Sequence, residues 1–203
     1  MKNIILALLV LGTTMSLSLS ALEIGQAFHY ENRDKLVVNK TTLDEVYKYF
    51  GKPEKTIVSE NVNGKFHILE YYFVHSGFTG GDMKVLLMEL KNEVLIGYIY
   101  DSSQGDDSTL FNYEEAMNVR IGHKFEHIKR NVGDPSGEAL CPVNIHKYKE
   151  NCSKSRNMKV WVYTPGTSMF GASSVETHMM FVGVTDEGIV LEVSHKTLVG
   201  SGE

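Results

Sequence analysis

One pattern occurs twice in this chain. Leu43-x-x-Val46-x-x-x-Phe50-Gly51-x-Pro53 returns as Phe125-x-x-Ile128-x-x-x-Val132-Gly133-x-Pro135, 82 positions later. Each copy leads into a long stretch rich in aromatic and aliphatic residues. A repeat of this length calls for a fold of two like units, each burying an apolar stripe.

The repeated segment reads as a helix. Thr42-x-x-Glu45 is a capping box, in which the Thr hydroxyl and the Glu carboxylate each accept a bond from an otherwise orphan backbone N–H. Leu43, Val46, Tyr47 and Phe50 fall on one helical face. Gly51 is placed to end the helix and Pro53 to prevent its resumption. The second copy keeps the apolar stripe and the Gly-x-Pro ending but has Lys124 where the capping Thr stood. A shorter helix is expected before each, at about 29–35 and 113–118.

Strand signals follow at 66–75, 84–90 and 94–100, and again at 159–164, 177–184 and 189–195. The turns at 91–93 and 186–188 join the last two strands of each set as hairpins. The predicted class is α+β, with two tandem modules, each a two-helix layer packed on an antiparallel β-meander. The expected divisions are an export signal at 1–20, modules at 21–101 and 110–196, a polar linker at 102–109 and a frayed tail at 197–203.

Lys2, the uncharged apolar run 4–11 and the small residues of Ser18-Leu19-Ser20 predict cleavage before Ala21 by a signal peptidase. No cysteine closes that segment, so a lipid anchor is not expected, and no other run approaches the roughly 18 apolar residues of a membrane helix. A periplasmic or secreted location follows. The chain carries 20 basic and 25 acidic residues, a net charge of −5, which loss of Lys2 takes to −6. That balance excludes nucleic acid or an anionic membrane surface as the main partner. In an exported chain, Cys141 and Cys152 read as a disulfide, worth about 2 to 3 kcal/mol for so short a loop.

Catalytic patterns are sparse. His123-Lys-Phe-Glu126-His127 matches H-x-x-E-H, a zinc-peptidase pattern, so a small metallohydrolase is one alternative. Yet these histidines align with Thr41 and Glu45 in the first copy and sit beside the apolar stripe, not on it. The glycine-rich stretches 77–82 and 166–174 lack a P-loop ending and a nucleophile elbow. No catalytic residue, metal or cofactor is therefore assigned.

The strands carry a different signal. Glu70 marks its face, shared with Tyr72 and Val74, as the exposed one, which makes Tyr71, Phe73, Trp161 and Tyr163 core. Val162, Met179, Phe181 and Val190 are then expected on the same open side, an apolar patch suited to a protein partner, unless the modules or a dimer bury it.

Thr42-Leu-Asp-Glu45-Val46, Phe50-Gly51-Lys-Pro53 and the aromatic strand, with Asn112-Tyr113, Ile121-Gly122 and Gly133-Asp-Pro135 in the second copy, resemble the SmpA/OmlA (BamE-type) envelope module. Two such modules with a short disulfide resemble the β-lactamase inhibitory protein fold. The resemblance implies helices on a four-stranded antiparallel sheet in each module and a sheet surface that grips another protein. The function expected is non-enzymatic protein binding in the cell envelope, with inhibition of an extracytoplasmic hydrolase such as a β-lactamase as an alternative.

Overall fold

A computed structural model describes residues 22–77, 80–102, 111–145, 148–163 and 174–201. The predicted export signal, most of the linker and most of the second glycine-rich stretch lie outside them. The chain is mostly antiparallel β-sheet with few helices. In the first half, β1 (Leu22–Gly25), a 3₁₀ turn (Tyr30–Lys35) and α1 (Leu43–Phe50) precede β2 (Lys55–Asn61), β3 (Gly64–Gly77), β4 (Gly80–Lys91) and β5 (Val94–Ser102). In the second, α2 (Tyr113–Ala116) and α3 (Phe125–Val132) precede β6 (Gly137–Leu140), β7 (Val143–Ile145), β8 (Tyr148–Glu150), β9 (Asn157–Tyr163), β10 (Ser174–Val184) and β11 (Val190–Ser201).

Both repeated helices form where expected. The Thr42 capping box is complete, with Glu45 N–H donating to Thr42 Oγ1 and Thr42 N–H to Glu45 Oε2 at 2.8 Å. Gly51 and Gly133 end the helices at φ 77° and 116°, a region that favours glycine. The two-helix layers are a correction. The first short helix is a 3₁₀ turn and the second a single turn capped by the Asn112 side chain, since neither stretch has apolar residues enough to bury a second helical face.

The separate sheets are a second correction. Strands from both halves form one nine-stranded sheet in the order β1-β3-β4-β5-β6-β9-β10-β11, with β2 also pairing β3. The halves join where Gly97 pairs with Ala139 and Ile99 with Gly137. Gly97 is required there. A Cβ on it would lie 2.7 Å from both Ala139 Cβ and Ile145 Cδ1.

Two sets of bonds recur in each half. Leu43 N–H donates to the Glu93 carbonyl, and Phe125 N–H to the Gly188 carbonyl, each at 2.8 Å. Leu95 N–H returns a bond to the Thr41 carbonyl, as Val190 N–H does to His123. Each helix start is thereby tied to a β-hairpin end. At the other end Tyr71 Oη donates to the Gly51 carbonyl and Trp161 Nε1 to the Gly133 carbonyl, both at 3.0 Å. Tyr71 and Trp161 are core on the helix face, as their alternation predicts. There Val46 and Phe50 pack on Leu69, Leu86 and Met88, and Ile128 and Val132 on Trp161, Met180 and Val182.

The other face of the sheet is apolar as well, and the cysteine segment covers half of it. That segment is not a loop. β7 and β8 form a hairpin with Val143 opposite Glu150 and Ile145 opposite Tyr148, closed by the Cys141–Cys152 disulfide. Val143, Ile145 and Tyr148 pack onto Leu87, Ile99, Met158, Val160, Val162 and Phe181. The side of β11 that faces this hairpin holds it down. Glu192 accepts bonds from Ser153 N–H at 3.0 Å, Ser155 N–H at 2.8 Å and both serine hydroxyls. Ser194 Oγ and Lys196 Nζ each lie 2.9 Å from Glu150 Oε2. Ordering some ten residues costs on the order of 10 kcal/mol. Three buried side chains at roughly 2 kcal/mol each do not meet that cost alone, so the disulfide and the β11 contacts are needed too. β11 also runs through Ser201, past the expected start of the tail.

Two outcomes test this attachment. Replacing Cys141 and Cys152 by serine is expected to lower stability by about 2 to 3 kcal/mol and to raise dye binding as the hairpin lifts from Val162 and Phe181; urea melts and fluorescence titration measure both. Burial raises the Glu192 carboxyl, but bonds from Ser155 and Ser153 outweigh this and hold it at about 2, against an ordinary 4.5. The stabilisation from Glu192 is therefore full above pH 4.5 and is lost as pH falls toward 2. Glu192→Gln should remove that acid-limb dependence in thermal melts between pH 2 and pH 5.

Candidate functional site

The hairpin reaches Leu87 and Ile99 and leaves open the part of this second face formed by β1, β2 and β3. Its strands bring apolar side chains into one strip. Ile57 pairs with Ile68, Tyr72 with Val85 and Ile24 with Val74, each pair on one side of the sheet. Ile57 and Tyr72 are 38 % exposed and Ile24 47 %. Lys55 crosses to Glu70 at 3.4 Å in the middle of the strip, between the Ile57–Ile68 and Tyr72–Val85 pairs.

Where the strip meets the hairpin there is a cleft of about 380 Å³. Phe66, Ile96 and Leu140 at the end of β6 line its sheet side, and Pro142 and Ile145 its hairpin side. Ile96 reaches it because β5 bulges. Glu89 pairs with Gly97 and Leu90 with Leu95, which leaves Ile96 unpaired between them.

Glu89 lines the same cleft. It is 5 % exposed, and among the described residues it takes no hydrogen bond and no ion pair. Burial pushes its carboxyl up to about 7. Lys91, two positions along the strand, also lines the cleft, but its ammonium sits 5.7 Å above the Phe66 ring. Asn63 and Asn144 add amide groups. On the opposite face, His67 Nδ1 is buried with no partner among the described residues. A buried acid without a partner is costly and marks a place where a guest gains more than at an ordinary surface.

The residues predicted to grip a partner divide. Glu70, Tyr72 and Val74 lie together on the uncovered strip. Val162, Met179 and Phe181 share that face of the sheet, but at 0 %, 2 % and 0 % exposure they are sealed beneath the hairpin. Val190 is on the helix face, packed with Ile128 and Trp161. Leu191 is a second bulge, unpaired between Val190 and Glu192, so alternation counted along β11 assigns Val190 to the wrong side. Cys141 and Cys152 are bonded as expected.

The H-x-x-E-H pattern does not gather into a centre. His123 precedes α3, and its Nδ1 accepts from Arg120 N–H at 3.3 Å. The His123 and His127 rings stand 5.7 Å apart in a shallow depression with Asn131. Glu126 lines a different depression with Lys159 and Glu138. Among the described residues no three His, Cys, Asp or Glu side chains come together to hold a metal, and no helix is long and apolar enough to cross a membrane.

Glu89 titrates at 4.5 in the unfolded chain and near 7 when folded, so the folded state binds more protons between those values. Stability should fall as pH rises from 4.5 to about 7 and level off above. Glu89→Gln is expected to flatten that slope and to be more stable by roughly 1 to 3 kcal/mol at pH 8, as read by calorimetry across pH 4 to 9. An unchanged profile would place the carboxyl in water.

No protein-family model matches the chain, and no curated protein matches it. Among solved structures it is similar to one from Streptococcus mutans described provisionally as a β-lactamase inhibitor protein. The two are 14 % identical, with a TM-score of 0.46, and the match covers 82 % of this chain and 93 % of that one.

Proposed function

We propose that this chain is an exported, non-enzymatic binding protein of the cell envelope, built from two BamE-type modules, that holds another protein against the open strip of its sheet. The observation that carries this reading is the uncovered apolar strip beside a cleft whose buried acid lacks a partner. Contiguous exposed apolar side chains on a sheet face mark protein contacts. The disulfide supports an oxidising compartment. A sheet face is also a rigid platform, so little conformational freedom is lost when a partner seats on it.

Inhibition of an extracytoplasmic hydrolase such as a β-lactamase is the narrower form of the same reading. It uses the same surface and needs only that the partner be an enzyme whose entrance the strip blocks.

The test compares the purified protein with an Ile57→Thr/Tyr72→Thr variant, since threonine keeps the β-propensity of both sites. Envelope proteins of the native organism are passed over each, and those retained are identified by mass spectrometry. The partner's affinity for the variant is expected to drop at least about tenfold, near 1.4 kcal/mol, with an unchanged melting temperature. Equal retention by both proteins, or none by either, would overturn the proposal. Retained hydrolases are then assayed with increasing protein, and flat dose–response curves would remove the inhibitor form.

A further inference from the structure

We infer that the cleft beside Glu89 is the seat for one basic side chain, lysine or arginine, of the partner protein. This rests on the binding reading above and assigns it a chemistry.

The cleft joins two features that rarely meet on a protein surface. Its walls are apolar, with Phe66, Ile96 and Leu140 facing Pro142 and Ile145, and its volume of about 380 Å³ accommodates an extended side chain. Glu89 as a residue is 5 % exposed, its carboxylate oxygens keep contact with the cleft, and among the described residues it has neither bond donor nor counter-ion. A long methylene stem with a cationic head matches both, because the stem covers apolar wall while the head meets the acid. The guest recovers the cost of the buried charge, since pairing with opposite charge favours the ionised form.

Other guests fit less well. A divalent cation needs six or more oxygen ligands or several charged ones, and the cleft supplies one carboxylate and the amides of Asn63 and Asn144. An anion would face Glu89 directly. Lys91 does not fill the role from within, because its ammonium rests 5.7 Å from the Phe66 ring centroid and makes no ion pair with Glu89. The source is a protein side chain because the cleft opens from the strip itself. Phe66 lines the cleft and is two residues from Ile68, which pairs with exposed Ile57. A partner lying on Ile57 and Tyr72 therefore reaches the cleft without a further site.

At neutral pH the acid is part-protonated before binding, so seating a cation should also release protons. Among the described residues, Lys91 on the same strand is the other charged group lining the cleft, and Glu70, paired to Lys55, lies diagonal to Glu89 on β3; the hairpin contributes Asn144 and apolar side chains.

The probes are Nα-acetyl-arginine methylamide and Nα-acetyl-lysine methylamide, with the neutral Nα-acetyl-norleucine methylamide as control, titrated into the ¹⁵N-labelled protein at pH 7.5. Saturable shifts are expected at the amides of Glu89, Phe66 and Ile145 with the basic probes. Affinity should fall at least about tenfold in Glu89→Gln and for the norleucine probe. Shifts centred elsewhere, or equal binding by Glu89→Gln, would overturn the inference. Glu89→Gln is expected to fold, since it removes a buried charge, and its own spectrum checks that. A second arm uses the protein retained on the strip. If Ile57→Thr/Tyr72→Thr abolishes its binding while Glu89→Gln leaves it unchanged, the cleft inference falls and the binding face stands. If spermidine binds the cleft but Glu89→Gln leaves the retained protein's affinity intact, the ligand is a free amine and the protein source is wrong.

Discussion

The sheet is apolar on both faces, and that single constraint governs the rest of the structure. Met179, Met180, Phe181 and Val182 run consecutively along β10, and all are at least 98 % buried. A strand with no polar side demands a cover on each side. α1 and α3 cover one face, each with two buried positions per two turns. The second face receives a cover over its second half and over Leu87 and Ile99 on the adjoining strands β4 and β5, from the β7–β8 hairpin. Everything proposed about function concerns the portion that this cover does not reach.

The duplication explains why the cover is one-sided. In the first half the chain leaves α1, forms β2, turns at Val62-Asn63 and returns as β3, so β2 and β3 pair directly. In the second half it leaves α3, forms β6 and returns as β9, and β6 and β9 also pair. The β7–β8 hairpin with its disulfide occupies the place of that first-half turn. It is an extra excursion grown from an equivalent connection, and it folds back over the sheet. The bonds that define the module recur in both halves: a helix start tied to a strand hairpin, a helix end accepting from a core aromatic, and a bulge at Ile96 and again at Leu191. The hairpin has no counterpart among the described residues of the first half. Glu192, Ser194 and Lys196 therefore serve it in the second half, where the paired positions on the first half's last strand, Gly97 and Ile99, serve the junction of the two halves.

How much of this could be read in the residues depended on whether a signal was local. α1 and α3, with their glycine endings, follow from spacing and caps that act within a few residues. Six long strands follow from runs of β-branched and aromatic residues, and their centres fall where those runs lie. β1, β2, β6, β7 and β8 do not, because short strands take their conformation from a neighbour supplied by the rest of the fold. Lys55–Asn61 has no buried side chain and is held by its pairing to β3. The face of Val190 was out of reach for another reason. Alternation counts residues, and a bulge adds one without changing composition. Val162, Met179 and Phe181 were placed on the correct face of the sheet but credited with the wrong surroundings, since nothing near them announces that a hairpin lies above. A hint was present in Glu192-x-Ser194-x-Lys196: three polar side chains on the side of the strand that faces an apolar sheet surface require partners, and the cysteine segment supplies them.

Glu89 gave no such hint, and the reason bears on why it is there. Along β4 it alternates with Met88 and Leu90 as a solvent-facing acid would, two positions from Lys91. Only the hairpin, contributed by a segment some fifty residues away, turns that position into the floor of a cleft. Once the cover was in place, a leucine at the same site would have extended the apolar contact from Leu87 toward Ile145, adding roughly 2 kcal/mol and removing an uncompensated buried charge. A chain under pressure for stability alone would move in that direction. Local rules are broken most often where a site has a use, and here the break coincides with the boundary between the covered and the open parts of the same face. On the binding reading proposed above, the acid lies where a partner on the strip passes it, and its charge is then a means of choosing among partners in addition to any strength it lends to binding.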